Sequence, residues 1–192
     1  MPFELSDNEK KFLLQLARQS ILDYFEGLEA PGKSYYSENL KTHTGAFVTL
    51  QLNGELRGCI GYVEALLPLQ DTVAQMAVSA AFSDPRFPSL TRDEFQYTEI
   101  EISVLTPQRR ITDISEIQIG RDGLIIKQGL REGLLLPQVA TEYDWDRITF
   151  LEQTCRKAGL HSQSWKESET EMFSFSAVIF TESDYYKPEP GL

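Results

Sequence analysis

Apolar residues return every three to four positions along Leu13, Leu16, Ala17, Ile21 and Tyr24, the spacing of one buried stripe on a helix. Ahead of it, Ser6-Asp7-Asn8-Glu9 has the form of a capping box, in which Ser6 caps and Glu9 reaches back. Gly27, Pro31 and Gly32 end the helix, and residues 27–44 read as a loop with Tyr35 and Tyr36 as anchors. Two apolar runs in GAFVTLQLNGELRGCIGY are then joined by Asn53-Gly54, residues that tolerate the positive φ of a tight hairpin turn. Such a loop sets Leu52 against Glu55, Leu50 against Arg57 and Val48 against Cys59. Opposed residues share a face. Arg57 and Cys59 are therefore expected side by side, with Cα atoms about 6.5 Å apart along the strand.

Pro68 opens a second helix, with Asp71 in its first turn and Leu69, Val73, Met76, Ala77 and Ala80 facing inward. The small alanines let it sit close against the hairpin. Ser83-Asp84-Pro85-Arg86-Phe87-Pro88 then forms an exit loop stiffened by two prolines. The run EIEISVL alternates strictly, placing Ile100, Ile102 and Val104 on one face and Glu99, Glu101 and Ser103 on the other, as in a half-exposed strand. A connector from Pro107 leads to a second hairpin around LIIKQ and LLLPQ. Asp144 is expected to cap a helix striped by Ile148, Leu151, Cys155 and Ala158, with Arg156 and Lys157 in the last turn and Gly159 beyond it. FSFSAVIF, residues 173–180, reads as one mostly buried strand, and DYYKPEPGL as a tail along the surface.

The pattern predicts an α+β fold of mostly antiparallel sheet with helices on one face, either as one large domain or as two packed sub-structures. Residues 1–45 and 107–192 are expected to form a larger discontinuous part, and residues 46–106 an inserted ββαβ part. At 192 residues either part has enough chain to share a proper core.

Charge narrows the partners. Eighteen Lys plus Arg against twenty-nine Asp plus Glu give a net charge of -11, which repels a phosphate backbone, so nucleic acid is not an expected partner. The first residues lack the basic start and apolar core of a signal peptide, and no apolar run approaches the ~20 residues of a bilayer span. The expected setting is cytoplasmic, with no membrane contact. Cys59 and Cys155 are expected as reduced thiols. With two histidines, His43 and His161, and neither a CxxC nor an HxxxH pattern, no metal site is expected. Phosphate-cradling motifs of the GxGxxG and GxxxxGK types are absent.

Cys59 is the sharpest candidate for chemistry. A guanidinium beside a thiol favours the thiolate, and Arg57 is placed to supply one. Gly58 and Gly61 carry no Cβ, so a ligand or a second backbone can come close. Two readings stay open: a core thiol whose glycine neighbours admit the alanine-lined helix, or a surface where Cys59 or its backbone meets a ligand. A covalent nucleophile normally needs a base, and neither histidine sits in a partner motif. Arg57, if buried, needs a carboxylate or an anionic ligand, with Glu99, Glu101 and Asp84 as candidate partners. Asp84 suits a lock that accepts backbone N–H groups, Arg86 a place lining the cleft, and Gln138 either a loop tie or a ligand contact. No pair of carboxylates is spaced for acid and base work.

The segments LRGCIG at 56–61, GAFVTL at 45–50, DPRF at 84–87, SVLTP at 103–107, GLLLPQVA at 133–140, FLEQTC at 150–155 and KAGL at 157–160 carry a resemblance over nearly the whole chain. The sequence resembles the AMMECR-type domain family and, more narrowly, the protein A family of the AmmeMemoRadiSam system. The resemblance implies a two-part α+β architecture, no established reaction, no obligatory cofactor, and a Memo-like protein and a radical-SAM enzyme as partners. Older suggestions for such proteins involve nucleic-acid processes.

The first expectation is thus an accessory or ligand-binding module in a radical-SAM-linked modification system, its groove lined by Arg57, Cys59, Asp84, Arg86 and Gln138 with Gly58 and Gly61 making room for a small anionic ligand or a partner protein. The alternative is a cysteine-dependent enzyme using Cys59 with Arg57 as anion holder. A third reading is a nucleic-acid-process factor.

Overall fold

The computed structural model describes residues 4–28 and 37–186. Pro31, Gly32, Tyr35 and Tyr36 of the expected first loop, and the end of the tail, lie outside the described residues. In chain order the elements are α1 (Asp7–Phe25), α2 (Glu38–Lys41), β1 (Ala46–Leu52), β2 (Glu55–Tyr62), α3 (Leu69–Phe82), α4 (Arg92–Phe95), β3 (Thr98–Leu105), β4 (Arg109–Ile111), β5 (Gly123–Gln128), β6 (Arg131–Leu135), α5 (Pro137–Glu142), α6 (Arg147–Lys157), β7 (Glu171–Phe175) and β8 (Ala177–Thr181). The fold is α+β, with two four-stranded sheets ordered β2-β1-β3-β8 and β4-β7-β5-β6.

Residues 1–105 and 178–192 form one compact unit and residues 106–177 the other. This redraws the expected division. The first helix belongs with the ββαβ part because its stripe of Leu13, Leu14, Ala17 and Ile21 is buried in the same core as Val48, Leu50, Met76, Ala77, Ile100 and Ile102. Local signals at α1 act as anticipated: Ser6 and Glu9 complete a reciprocal capping box. Arg18 ties the helix to the far edge of the sheet by donating to Glu182 through Nε at 2.6 Å and to the Thr98 carbonyl at 2.8 Å. Tyr24 departs from the stripe and lies exposed, stacked on Phe82 at 4.3 Å.

The Asn53-Gly54 turn forms with φ of 54° and 80°. From it β1 runs antiparallel to both β2 and β3. Ala46, Val48 and Leu50 of β1 face the helices and are fully buried. Gly58 explains the close seat of α3, since a Cβ built there would lie 2.2 Å from the Ala80 carbonyl oxygen.

In the second unit β5 and β6 form the expected hairpin, and β7 pairs antiparallel with β4 and β5. Leu124 and Ile126 pack with Phe150, Leu151 and Cys155 of α6. Two expectations change. Asp146, not Asp144, caps α6, its carboxylate accepting the Thr149 N–H at 2.7 Å, while Asp144 occupies the left-handed region at φ 51°. FSFSAVIF is two strands, with β7 in the second sheet and β8 in the first. The break falls at Ser176, whose N–H and carbonyl are both taken by Thr106, at 2.8 and 2.7 Å, instead of continuing either ladder.

Replacing Gly58 by Ala is expected to destabilise the protein by about 1–3 kcal/mol, because a methyl group must displace helix backbone instead of a flexible side chain. Urea unfolding followed by circular dichroism measures it, and a midpoint equal to that of the parent would refute the close seat of α3 on β2.

Candidate functional site

The strand carrying LRGCIG does not keep the register that a straight hairpin implies. Leu52 faces Glu55 and Gln51 faces Leu56, but Leu50 then faces Gly58, Thr49 faces Cys59 and Val48 faces Ile60. Arg57 is the extra residue of a bulge. A one-residue slip moves every later side chain to the other face, so the expected pairing of Arg57 beside Cys59 is overturned. The physical reason lies in the core. The slip turns Ile60 and Tyr62 to the face of the buried core, against which both pack, and it puts Gly58 opposite Leu50 under α3.

Arg57 is buried and turns to α4, where Nε and Nη2 each donate to the Glu94 carboxylate at 3.1 Å. Its guanidinium lies 5.9 Å from the centroid of Phe87. The partner is none of the three carboxylates expected from the sequence. Glu94 also accepts the Thr91 N–H and hydroxyl, each at 2.9 Å, as the third helical residue of a capping box. The Arg57 hydrogen bonds, followed by that from the Thr91 N–H, draw the Glu94 pKa down to about 2. Arg57 is therefore consumed by structure.

Cys59 sits on the other face, where the Thr49 hydroxyl donates to its Sγ at 3.2 Å. Its backbone points to the free edge of the sheet and meets the Asp84-Arg86 pair. Asp84 is 4% exposed and accepts the Cys59 N–H at 2.8 Å and the Arg86 N–H at 3.0 Å. Arg86 donates to the same carboxylate through Nε at 3.0 Å and Nη2 at 2.7 Å, and its Nη2 also donates to the Cys59 carbonyl at 3.2 Å. One carboxylate and one guanidinium thus saturate the peptide groups of Cys59 as a neighbouring strand would. The Arg86 hydrogen bonds hold the Asp84 carboxyl well below the usual carboxylate range. The Arg86 pKa is raised, first by Asp84 and last by the Cys59 side chain.

Glu101 completes a row on this face, because Thr49 pairs with Cys59 on one side and with Glu101 on the other. Burial, then the negative charges of Glu99 and Asp184, push the Glu101 carboxyl up. The arrangement offers a sulfur, a hydroxyl, a carboxyl and, at the sheet edge, a cation. Gly61 opens no ligand space, since a Cβ there would meet the Phe47 ring at 2.4 Å. Gln138 lies exposed at the start of α5 in the second unit. Cys155 is fully buried, and burial raises its pKa. His43 forms an isolated bridge with Pro68, and His161 Nδ1 accepts the Gln163 N–H. Among the described residues no group of three or more His, Cys, Asp or Glu side chains is placed to hold a metal ion, and no helix is long and apolar enough to cross a membrane.

Glu94, which is not among the partners expected for Arg57, carries a legible local signal: Thr91-Arg92-Asp93-Glu94 has capping-box spacing. Thr49 and Glu101 had none of their own, because only the pairing of β1 with both neighbours brings them to Cys59.

The chain has the architecture of a small two-unit α+β domain protein. It belongs to the AMMECR1 family, whose sequence profile matches residues 14–180. Protein MK0488 of Methanopyrus kandleri is 40% identical over 191 residues, covering 94% of this chain and 92% of that protein. A protein of Methanothermobacter thermautotrophicus is 42% identical over 187 residues, covering 93% and 96%. Among solved structures, the uncharacterized protein PH0010 of Pyrococcus horikoshii superposes with a TM-score of 0.72 at 38% identity, covering 93% of both chains.

Asp84 and Glu94 both have lower pKa values in the folded protein than their ordinary 3.8 and 4.5. Their ionised forms therefore contribute stability that is complete above those ordinary values and is lost as the pH falls through the folded ones, near 2 for Glu94. Asp84→Asn is expected to cost about 1.5–3 kcal/mol at neutral pH, the scale of charged hydrogen bonds, and to flatten the acid limb of stability against pH. Urea titrations of parent and variant from neutral pH down to about pH 3 read this; parallel curves would contradict it.

Proposed function

We propose that this protein is an accessory, ligand-binding component of a radical-SAM-linked modification system. Its ligand is a small anion, met at the edge of the first sheet by Arg86 beside Cys59. One observation carries the ligand assignment. The Arg86 side chain is 54% exposed yet fixed by a buried carboxylate, and its Nη1 has no hydrogen-bond partner among the described residues. In a chain of net charge -11 a rigid, open cation beside a thiol is a natural anion contact. The role first expected of Arg57 passes to Arg86, with Asp84 as the positioning residue. The assignment of partners, a Memo-like protein and a radical-SAM enzyme in the cytoplasm, rests on the family resemblance.

A second reading, a cysteine-dependent enzyme, is favoured by the Thr49 hydroxyl aimed at Sγ.

Alkylation separates these readings, and the burial of Cys155 leaves Cys59 as the thiol to be read. In the parent protein iodoacetate, an anion, is expected to gain on neutral iodoacetamide relative to Arg86→Gln by about threefold or more, the size of one partly screened charge contact. Inorganic phosphate or a small carboxylate should protect Cys59. Labelling that is fast but indifferent to anions and to Arg86 would favour the enzyme reading, and an unreactive Cys59 in the folded protein would remove both. Co-elution of the purified protein with a Memo-like protein and a radical-SAM enzyme from the same genome tests the partners, and separate elution at micromolar concentrations would overturn that part.

A further inference from the structure

We propose that the hollow between the second half of α1 and α4 binds a small organic carboxylate with an apolar body. It has a volume of about 250 Å³ and is lined by Arg18, Leu22, Phe25, Arg92, Phe95 and Gln96. That is below the about 300–1,000 Å³ of sites for drug-sized molecules, which sets the ligand at fragment size.

Charge selects the head group. In a chain of net charge -11 the lining contains two arginines and no acidic side chain. Arg18 is held along one edge by Glu182 and the Thr98 carbonyl, and Arg92, more than half exposed, donates to Glu26 at 2.6 Å. Each also lies over a phenyl ring, Arg18 at 4.8 Å from the centroid of Phe95 and Arg92 at 5.1 Å from that of Phe25. Nη1 of Arg18, and Nε and Nη1 of Arg92, have no hydrogen-bond partner among the described residues. A carboxylate meeting these donors finds cations already held in place, so little side-chain entropy is lost on binding.

The floor selects the body. Phe95 is buried, and Phe25 is held edge-on to Phe82 at 5.0 Å, giving a rigid aromatic surface. Leu22 stands beside it 39% exposed. The structural roles of the two ion pairs explain one edge of each arginine, and leave Leu22 and part of Phe25 between them open. A hydrocarbon or aryl body covers them, while an inorganic anion leaves them wet.

Hydrocinnamate is the probe, titrated into the isotope-labelled full chain and followed by amide chemical shifts. Saturable shifts centred on α1 residues 18–25 and on α4 are expected, with a dissociation constant at about the millimolar level or tighter. The corresponding alcohol, with the same body and no charge, should bind about fivefold more weakly or worse. Arg92→Gln, a change at an exposed position, should remove that preference while leaving alcohol binding in place. Arg92→Lys should keep part of it. Equal affinity for acid and alcohol, an unaltered preference in Arg92→Gln, or shifts centred elsewhere would each overturn the proposal. These shifts are read away from Cys59, so the outcome is independent of the anion contact at Arg86.

Discussion

The Asp84 carboxylate holds together the part of the molecule on which the rest depends. It is nearly inaccessible to water, and it accepts the backbone N–H of Cys59, the backbone N–H of Arg86 and two donors of the Arg86 guanidinium. A buried carboxylate is tolerable only when paired and hydrogen-bonded, and here the pairing joins the exit of α3 to the edge of the sheet. The edge is closed at Cys59 by side chains where another chain would otherwise add a strand. The same bonds fix a cation next to a thiol, so stability and the candidate chemistry come from one contact.

The bulge at Arg57 is the second constraint. Without it, an arginine and a cysteine would face Leu50 and Val48, in the layer that α3 covers. With it, Gly58 lies beneath Ala80 and Ile60 joins the core, while the charge is led sideways to Glu94. The glycines beside the thiol thus serve packing on both faces, one admitting helix backbone and the other the Phe47 ring.

The arginines of the first unit share one construction. Arg18, Arg57, Arg86 and Arg92 each reach a carboxylate, of Glu182, Glu94, Asp84 and Glu26 respectively, and each lies over a phenyl ring. What differs is exposure. The Arg57 side chain is 9% exposed and has a structural role alone, whereas those of Arg86 and Arg92 are more than half exposed. A guanidinium pinned along one edge and open along the other suits recognition in a protein whose overall charge otherwise repels anions.

Much was decided locally and was legible in the chain. The capping box at Ser6, the Asn53-Gly54 turn, the stripe of α3, those of α1 and α6 apart from the exposed Tyr24 and Ile148, and the alternation in β3 each depend on residues within a few positions of one another, and the fold class followed from them, while the family resemblance rested on segments such as LRGCIG and DPRF. Non-local matters were not. Where FSFSAVIF divides depends on Thr106, some seventy positions away, capturing Ser176. The partner of Arg57, and the neighbours of Cys59, depend on a register that the turn alone would have set differently. The sequence by itself thus put Cys59 forward as the candidate thiol and determined the fold class and most of the principal helices and strands, because helical and strand periods and turn chemistry are short-range. Only the tertiary structure decided which guanidinium stands beside that thiol, because one extra residue in a strand reverses its faces and the burial of Ile60 and Tyr62 outweighs the straight register of the hairpin.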